Sequence, residues 1–151
     1  MIQVRIANVI DLEAIESLVA QYHEFEGIES SAEMRRAALL ELVASNKQHG
    51  FIVVATSDEN IIGYAAICYG FSIEFGGRDA FLDEVFVAAS FRRNGIGDTL
   101  IRFAEEIAKK DKIQALHLEV SKSNEKARSL YSGLGFENRE AFHLMSKRLN
   151  D

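Results

Sequence analysis

The chain has no proline and a single cysteine, Cys68, among its 151 residues. Without proline the usual mark of a stiff linker between domains is missing, and one cysteine cannot close an internal disulfide. Four scattered histidines offer no local zinc framework, so no metal centre is expected. No apolar run approaches the roughly 18 residues that mark a membrane span. The opening MIQVRIANVIDLE also lacks both a basic head and a cleavable apolar stretch. The expectation is a cytoplasmic protein with no membrane partner. Basic charge is scarce as well: 17 Lys+Arg stand against 23 Asp+Glu, a formal net charge of −6. That balance, with no basic recognition helix, argues against a nucleic-acid partner, yet leaves room for a local cationic pocket that takes a phosphorylated cofactor.

What is present, 48% hydrophobic and 26% charged residues, is the balance of a globular protein, and the length suits one domain over 1–151. Ile2, Val4 and Ile6 alternate with polar neighbours and predict a strand over 2–7. From Asp11 the period changes, with Leu12, Ile15, Leu18, Val19 and Tyr22 on one helical face. Ser30 followed by Glu33 reads as a capping box for a second helix to about Ser45, and YHEFEG between them as a helix end or loop. FIVVATS and IIGYAAICYG flank the turn-like DEN and predict a hairpin, and AFLDEVFV a further strand. A helix with Ile96, Leu100, Phe103 and Ile107 on one face follows, then a strand ALHLEV over 115–120. A helix through Tyr131 to near Gly133 and a last strand FHLMSKRL close the chain. The fold class is α+β with a mixed central sheet and no internal repeat.

The stretch VFVAASFRRNGIGDTLIRFAEEIAKK sets Arg92, Gly95 and Gly97 between an apolar strand and an amphipathic helix. Glycine permits unusual dihedrals and close approach, while first-turn N–H groups and the helix dipole attract phosphate oxygens. The spacing is neither GxGxxG nor GxxxxGK[ST]. On its own it reads as a phosphate site or as a tight helix entry, and Arg92 as a phosphate contact or a surface charge.

Arg92, Gly95 and Gly97 match a hallmark of the GNAT superfamily of N-acetyltransferases: Arg or Gln, two residues, Gly, one residue, then Gly or Ala. The chain resembles that superfamily here, although Ala89 stands where the family often has proline. A second resembling segment, LEVSKSNEKARSLYSGLGF, carries Leu118, Glu119, Asn124, Ala127, Leu130, Tyr131, Gly135 and Phe136. The resemblance implies a predominantly antiparallel sheet flanked by helices, with parallel strands splayed at an acetyl-CoA site. It further implies that amides of Arg93, Asn94, Gly95, Ile96 and Gly97 hold the pyrophosphate, with Arg92 at the rim. The backbones of Val85, Phe86 and Val87 would meet the pantetheine arm, with Val85 N–H as oxyanion donor. Tyr131 would protonate the departing thiolate, the plainer readings being a positional hydrogen bond or a structural tyrosine. Asn124 would contact the cofactor or cap its helix, with Ser123 the favoured cap. The resemblance to a family rich in homodimers, with the apolar strands near the C-terminus, implies a homodimer.

Asp83 and Glu84 are neighbours in a strand, and regular alternation groups Asp83 with Phe81, Val85 and Val87, and Glu84 with Leu82 and Phe86. LDEVFV looks like the acid-bearing strand of diamine and polyamine acetyltransferases. That resemblance makes Asp83 a water-linked general base and Glu84 a contact for the substrate cation; solvation or an ion pair is the alternative for each. Glu24, Glu26 and Glu74 would add to an acidic cleft. Tyr22 and Cys68 read most plainly as packing, His23 as a helix-end surface residue or a proton relay, and His117 as a partly buried sheet histidine or a proton acceptor, while Glu119 falls where some acetyltransferases carry a base. The expected function is direct, acetyl-CoA-dependent transfer to a small cationic primary amine. A protein N-terminal or lysine acetyltransferase and a noncatalytic acyl-CoA-binding regulator are the alternatives.

Overall fold

A computed structural model describes residues 1–150 of the chain. They fall into two compact units, one spanning Met1–Glu119 and the other running from Val120 onward.

In the first unit β1 (Ile2–Ile6), β2 (Gly50–Ser57), β3 (Asn60–Ser72) and β4 (Gly77–Val87) pair antiparallel in chain order, and β5 (Leu116–His117) joins β4 in parallel. Central β2 is buried along both faces, which is why its sequence is nearly unbroken apolar. Asp58 and Glu59 both take positive φ, 47° and 68°, in the two-residue turn between β2 and β3, a conformation that matches strand twist.

Three helices cover the sheet: α1 (Leu12–Glu26), α2 (Ala32–Ala44) and α3 (Ile96–Lys110). Ile52, Val54, Tyr64, Ala66 and Phe86 pack with Ile15, Leu18, Val19 and Leu39 of α1 and α2. The opposite face meets α3: a Cβ on Gly63, next to Tyr64, would lie 3.4 Å from Leu100. A short 3-10 turn, Val9–Asp11, precedes α1. Asp11 takes a bidentate pair from Arg5 at 2.7 and 2.9 Å, and that hydrogen bonding holds its carboxyl below the usual range. Left-handed Gly27, φ 70°, stops α1 four residues after His23.

Two boundary expectations need correction in this unit. Ser31, not Ser30, caps α2, accepting from Met34 N–H at 3.1 Å, because the Ser30 hydroxyl is engaged by His23 and Arg35. The expected strand over 115–120 shrinks to Leu116–His117.

In the second unit α4 spans Glu125–Gly133. Its cap is Asn124, whose Oδ1 accepts from Ala127 N–H at 3.1 Å; Ser123, the expected cap, instead bonds its hydroxyl to that of Ser121. The strand expected over 142–149 does not form among the described residues. Every residue of that stretch is exposed, Leu149 at 90%, and an alternating pattern makes a strand only when another strand completes its ladder.

Candidate active site

Two features of β4 shape the site. Its pairing with β5 ends at Phe81↔His117, so the strands part beyond that rung. Its pairing with β3 carries a bulge: Leu82 faces Ile67 and Glu84 faces Ala66, leaving Asp83 as the extra residue. Ahead of the bulge, Ala80 donates its N–H to Ala115 O at 3.0 Å on the β5 side. Beyond it, Ala88 donates to Ile62 O at 2.8 Å on the β3 side. Counting back from Ala88 by twos, Val85 and Val87 turn their N–H and C=O groups to the edge away from β3. Val87 O there accepts from Arg92 Nε at 2.8 Å. Without the extra residue, the even-numbered backbone groups would have faced that edge.

The chain leaves β4 through a 3-10 turn, Ala89–Phe91, and takes positive φ at Arg93, 68°, and Gly95, 72°, before α3 begins at Ile96. Asn94 braces this turn by donating from Nδ2 to Phe91 O and Arg92 O. Gly95 has no side chain to cap the helix, and Thr99 folds its N–H and hydroxyl back to Gly95 O. The buried Ile96 side chain anchors the first turn while its N–H points along the helix axis. A Cβ at Gly95 or Gly97 would meet no atom within 4 Å, so Gly97 is not required by packing. Successive amides with left-handed residues between them, at the positive end of a 15-residue helix, make a donor set that fits phosphate oxygens. Arg92 is exposed and lies over the Phe86 ring, 5.0 Å from its centroid.

The acids sit at the bulge, and here alternation misled. Leu82 and Glu84 oppose neighbouring residues of β3 and so face opposite sides of the sheet; Glu84 shares the α1–α2 face with Tyr64 and Phe86. An extra residue absorbs one step of the alternation, so adjacency no longer drives Asp83 and Glu84 apart. Both acids push up the Tyr64 phenol and the Cys68 thiol, though burial is the larger cause for each; the thiol reaches about 11. The Asp83 side chain is open to solvent, yet protein atoms crowd it enough that desolvation is the first cause raising its carboxyl. The charges of Glu84 and then Glu119 add to the rise, and His23 opposes it.

Glu84 is held from two sides. Tyr64 donates its hydroxyl to Oε1 at 2.8 Å, and His23 Nε2 lies 2.6 Å from Oε2. The His23 side chain is only 12% exposed, not the surface residue expected at a helix end. Glu24 and Glu26 are exposed near it, while Tyr22 packs between His23 and Phe86. His117 pairs with Asp79 at 3.1 Å between the rings of Phe75 and Phe81, the partly buried sheet histidine expected. Among the described residues no three His, Cys, Asp or Glu side chains gather to hold a metal ion, and no helix is long and apolar enough to cross a membrane. In the second unit Tyr131 is half-buried and meets Phe136 edge-on at 5.9 Å, and Asn124 spends its side-chain oxygen on the cap.

The model of the acetyltransferase (GNAT) family matches residues 12–136. The chain belongs to this family. As a GNAT protein it is an acetyl-CoA-dependent N-acetyltransferase. It is 28% identical over 139 residues to the uncharacterized N-acetyltransferase YhfO of Bacillus subtilis (strain 168), covering 92% of each chain. Over 75 residues it is 31% identical to the thialysine N-epsilon-acetyltransferase of Bos taurus, covering 50% of this chain and 44% of that protein. Its fold is similar to that of the aminoglycoside N-acetyltransferase AAC(6')-Iy in complex with CoA. The TM-score is 0.83 at 22% identity, covering 98% of this chain and 95% of that one.

Sequence reasoning missed Tyr64 as a partner of Glu84 and Ser30 and Arg35 behind His23, and favoured a surface place for His23 itself. A tyrosine inside the otherwise apolar run IIGYAAI was the one local signal, since a buried phenol needs a hydrogen-bond partner.

Proposed function

We propose that this chain acetylates a small, cationic primary amine by direct transfer from acetyl-CoA, with residues 1–151 working as one cytoplasmic acetyltransferase domain. The observation that carries the reading is the bulged acid pair, Asp83 raised and Glu84 firmly held, on the strand that also turns Val85 N–H to its open edge. The thioester supplies an activated acetyl group. Amides of Arg93, Asn94, Gly95, Ile96 and Gly97 bind the pyrophosphate with Arg92 at the rim, and the backbones of Val85 and Val87 align the pantetheine arm; Phe86, expected to share that contact, pairs with Tyr64 of β3 instead. Val85 N–H meets the carbonyl oxygen as negative charge develops there. Asp83 takes a proton from the ammonium through water, and its raised carboxyl makes it a better base than an ordinary aspartate. Glu84 contributes the charge that attracts the cation. Tyr131 is the group proposed to return a proton to the leaving thiolate, and Asn124 is proposed as a further cofactor contact. The thialysine acetyltransferase relative supports an amine acceptor of this kind.

The deciding experiment measures acetyl-CoA consumption against a panel of diamines, monoamines, uncharged amines and peptides, with intact mass to identify the product. Preference for peptides would move the assignment to a protein acetyltransferase; binding without transfer would leave a noncatalytic binding module. Tyr131→Phe should slow the chemical step by roughly ten- to a thousandfold with cofactor affinity nearly kept, read by rapid quench. A homodimer belongs to the same reading, supported by exposed Phe142, Leu144, Met145 and Leu149. A monomer that persists across a sedimentation concentration series counts against it.

A further inference from the structure

Glu84 is one end of a side-chain chain that runs from the sheet into α1 and α2. His23 Nε2 lies 2.6 Å from Glu84 Oε2, and His23 Nδ1 lies 2.6 Å from the Ser30 hydroxyl. Ser30 is held in turn by Arg35, whose Nη1 donates to its hydroxyl at 3.0 Å and to its carbonyl at 2.7 Å. Arg35 Nε donates to Glu16 Oε1 at 2.9 Å, which ties α2 back to α1. Tyr22 packs against the imidazole at 5.9 Å. The imidazole is thus fixed at both nitrogens and along its ring, and the Glu84 carboxylate is fixed at both oxygens.

A chain of this kind is more than a surface ion pair. Its members come from α1, the α1–α2 connection, α2, β3 and β4, and the side chains of His23, Glu84, Arg35 and Glu16 are each less than one-fifth exposed. Partly buried polar groups with fixed partners define one geometry, because any other arrangement leaves a desolvated group unpaired. The geometry it defines lies where the β4 bulge places Asp83 beside Glu84.

We propose that His23 is a positioning residue for amine acceptance: from the last turn of α1 it fixes the Glu84 carboxylate beside Asp83, so that Asp83 is the acid that receives the ammonium proton through water. This rests on the acid-pair reading above and names what organises the pair. The proton leaves the ammonium nitrogen for an Asp83 oxygen, and the nitrogen lone pair so released is the one that attacks the acetyl carbon. The charged groups acting on Asp83 are Glu84 on β4, Glu119 after β5 and His23 on α1, while the neutral Tyr64 and Cys68 on β3 feel its charge. Glu84 and Glu119 raise its carboxyl, and His23 alone opposes them.

The test compares His23→Leu, His23→Gln and Ser30→Ala on two matched acceptors, one cationic and one uncharged at the assay pH. In His23→Leu, kcat/KM for the cationic acceptor should fall about ten- to a hundredfold while the uncharged acceptor and the KM for acetyl-CoA stay within about twofold. Its acidic limb of kcat/KM should move to higher pH, since Asp83 loses the one group that draws it down. Glutamine can still offer an N–H to Glu84 without an ionisable ring. His23→Gln should therefore recover most of the KM for the cation while keeping the displaced limb. Ser30→Ala should give a smaller loss in the same direction. Equal losses on both acceptors with an unmoved pH profile would mean a packing role and overturn the proposal, as would an unchanged folded variant. If His23→Leu does not fold, His23→Gln decides by its pH limb. Asp83→Asn and Glu84→Gln run alongside: if neither alters transfer, the acid-pair reading fails; if they cut it and the His23 series does not, only the role of His23 fails.

Discussion

The helix entry at residues 92–97 and the acid pair at 83–84 lie on one strand and the turn that leaves it, yet they are built from opposite materials. The entry is made of backbone: exposed side chains at Arg92, Arg93 and Asn94, left-handed dihedrals at Arg93 and Gly95, and first-turn amides of α3. The acid pair is made of side chains, drawn from α1, α2, β3 and β4 and held by hydrogen bonds of 2.6 to 2.8 Å to Glu84. A backbone site tolerates a change of side chain unless the new atoms occupy the ligand's space. A side-chain site fails when any partner is removed, because the remainder are left desolvated and unpaired.

The largest test of this contrast is Gly97→Leu. A Cβ at 97 would have open space around it, and the backbone there is not left-handed. Leucine is also a better helix former than glycine by about 0.5–1 kcal/mol. Thermal stability should hold or rise slightly, while the affinity for acetyl-CoA, read by calorimetry, should drop by about a hundredfold or more because the side chain fills the approach to the amides. Gly95→Val is the companion: its φ of 72° makes any side chain strained, so stability and affinity should fall together. Unchanged affinity in a folded Gly97→Leu protein would remove the backbone site from the comparison.

The acid pair should show the reverse split. Asp83→Asn should lower kcat about ten- to a hundredfold for amines that must lose a proton, and Glu84→Gln should raise the KM for charged amines about tenfold. Neither should change acetyl-CoA affinity by more than about twofold. If Glu84→Gln proves the slower enzyme and Asp83→Asn the weaker binder, the two roles exchange.

The same contrast explains what the sequence could and could not reveal. The helix entry was legible because backbone sites announce themselves locally: two glycines one residue apart, after an apolar strand and before an amphipathic helix. The antiparallel hairpin and all four helices were legible for the same reason, through period, although the caps expected at Ser30 and Ser123 fell one residue early. The acid pair's surroundings were not, since His23 and Glu84 are 61 residues apart and Ser30 looked like a helix cap until its hydroxyl was seen on His23. Nothing in LDEVFV marks a bulge at Asp83, so strict alternation assigned Leu82 and Glu84 to one face. The alternation in FHLMSKRL was real, but alternation specifies a face and not a partner.

A smaller effect is expected at Arg92, which stands on the border between the two kinds of site. Its Nε bonds to Val87 O and its guanidinium lies over Phe86, so its charge supplements amides that bind without it. Arg92→Ala should weaken acetyl-CoA about two- to fivefold at low ionic strength and less as salt rises, since an exposed charge is screened. A loss of the size expected for Gly97→Leu, or one indifferent to salt, would make the entry a side-chain site after all.

The smallest effect concerns stability and sharpens the contrast from the other end. The Asp83 carboxyl is raised in the folded protein by desolvation and by the charges of Glu84 and Glu119. A raised acid binds its proton more tightly folded than unfolded, so its favourable contribution is present below the unfolded pKa and is lost as pH rises through the folded one. At neutral pH the ionised Asp83 therefore opposes folding, and Asp83→Asn, which cannot ionise, should melt at a higher temperature than the parent. The difference should shrink as pH falls toward the ordinary carboxylate range, where the parent's Asp83 is protonated in both states. Any gain from Gly97→Leu has no such dependence, because helix propensity carries no proton. Paired melts of the two variants across pH thus distinguish charge held at the acid pair from conformational freedom at the helix entry. A gain in Asp83→Asn that persisted unchanged at low pH would trace to packing at the bulge, and no gain at neutral pH would mean that the pair stores no repulsion for catalysis to use.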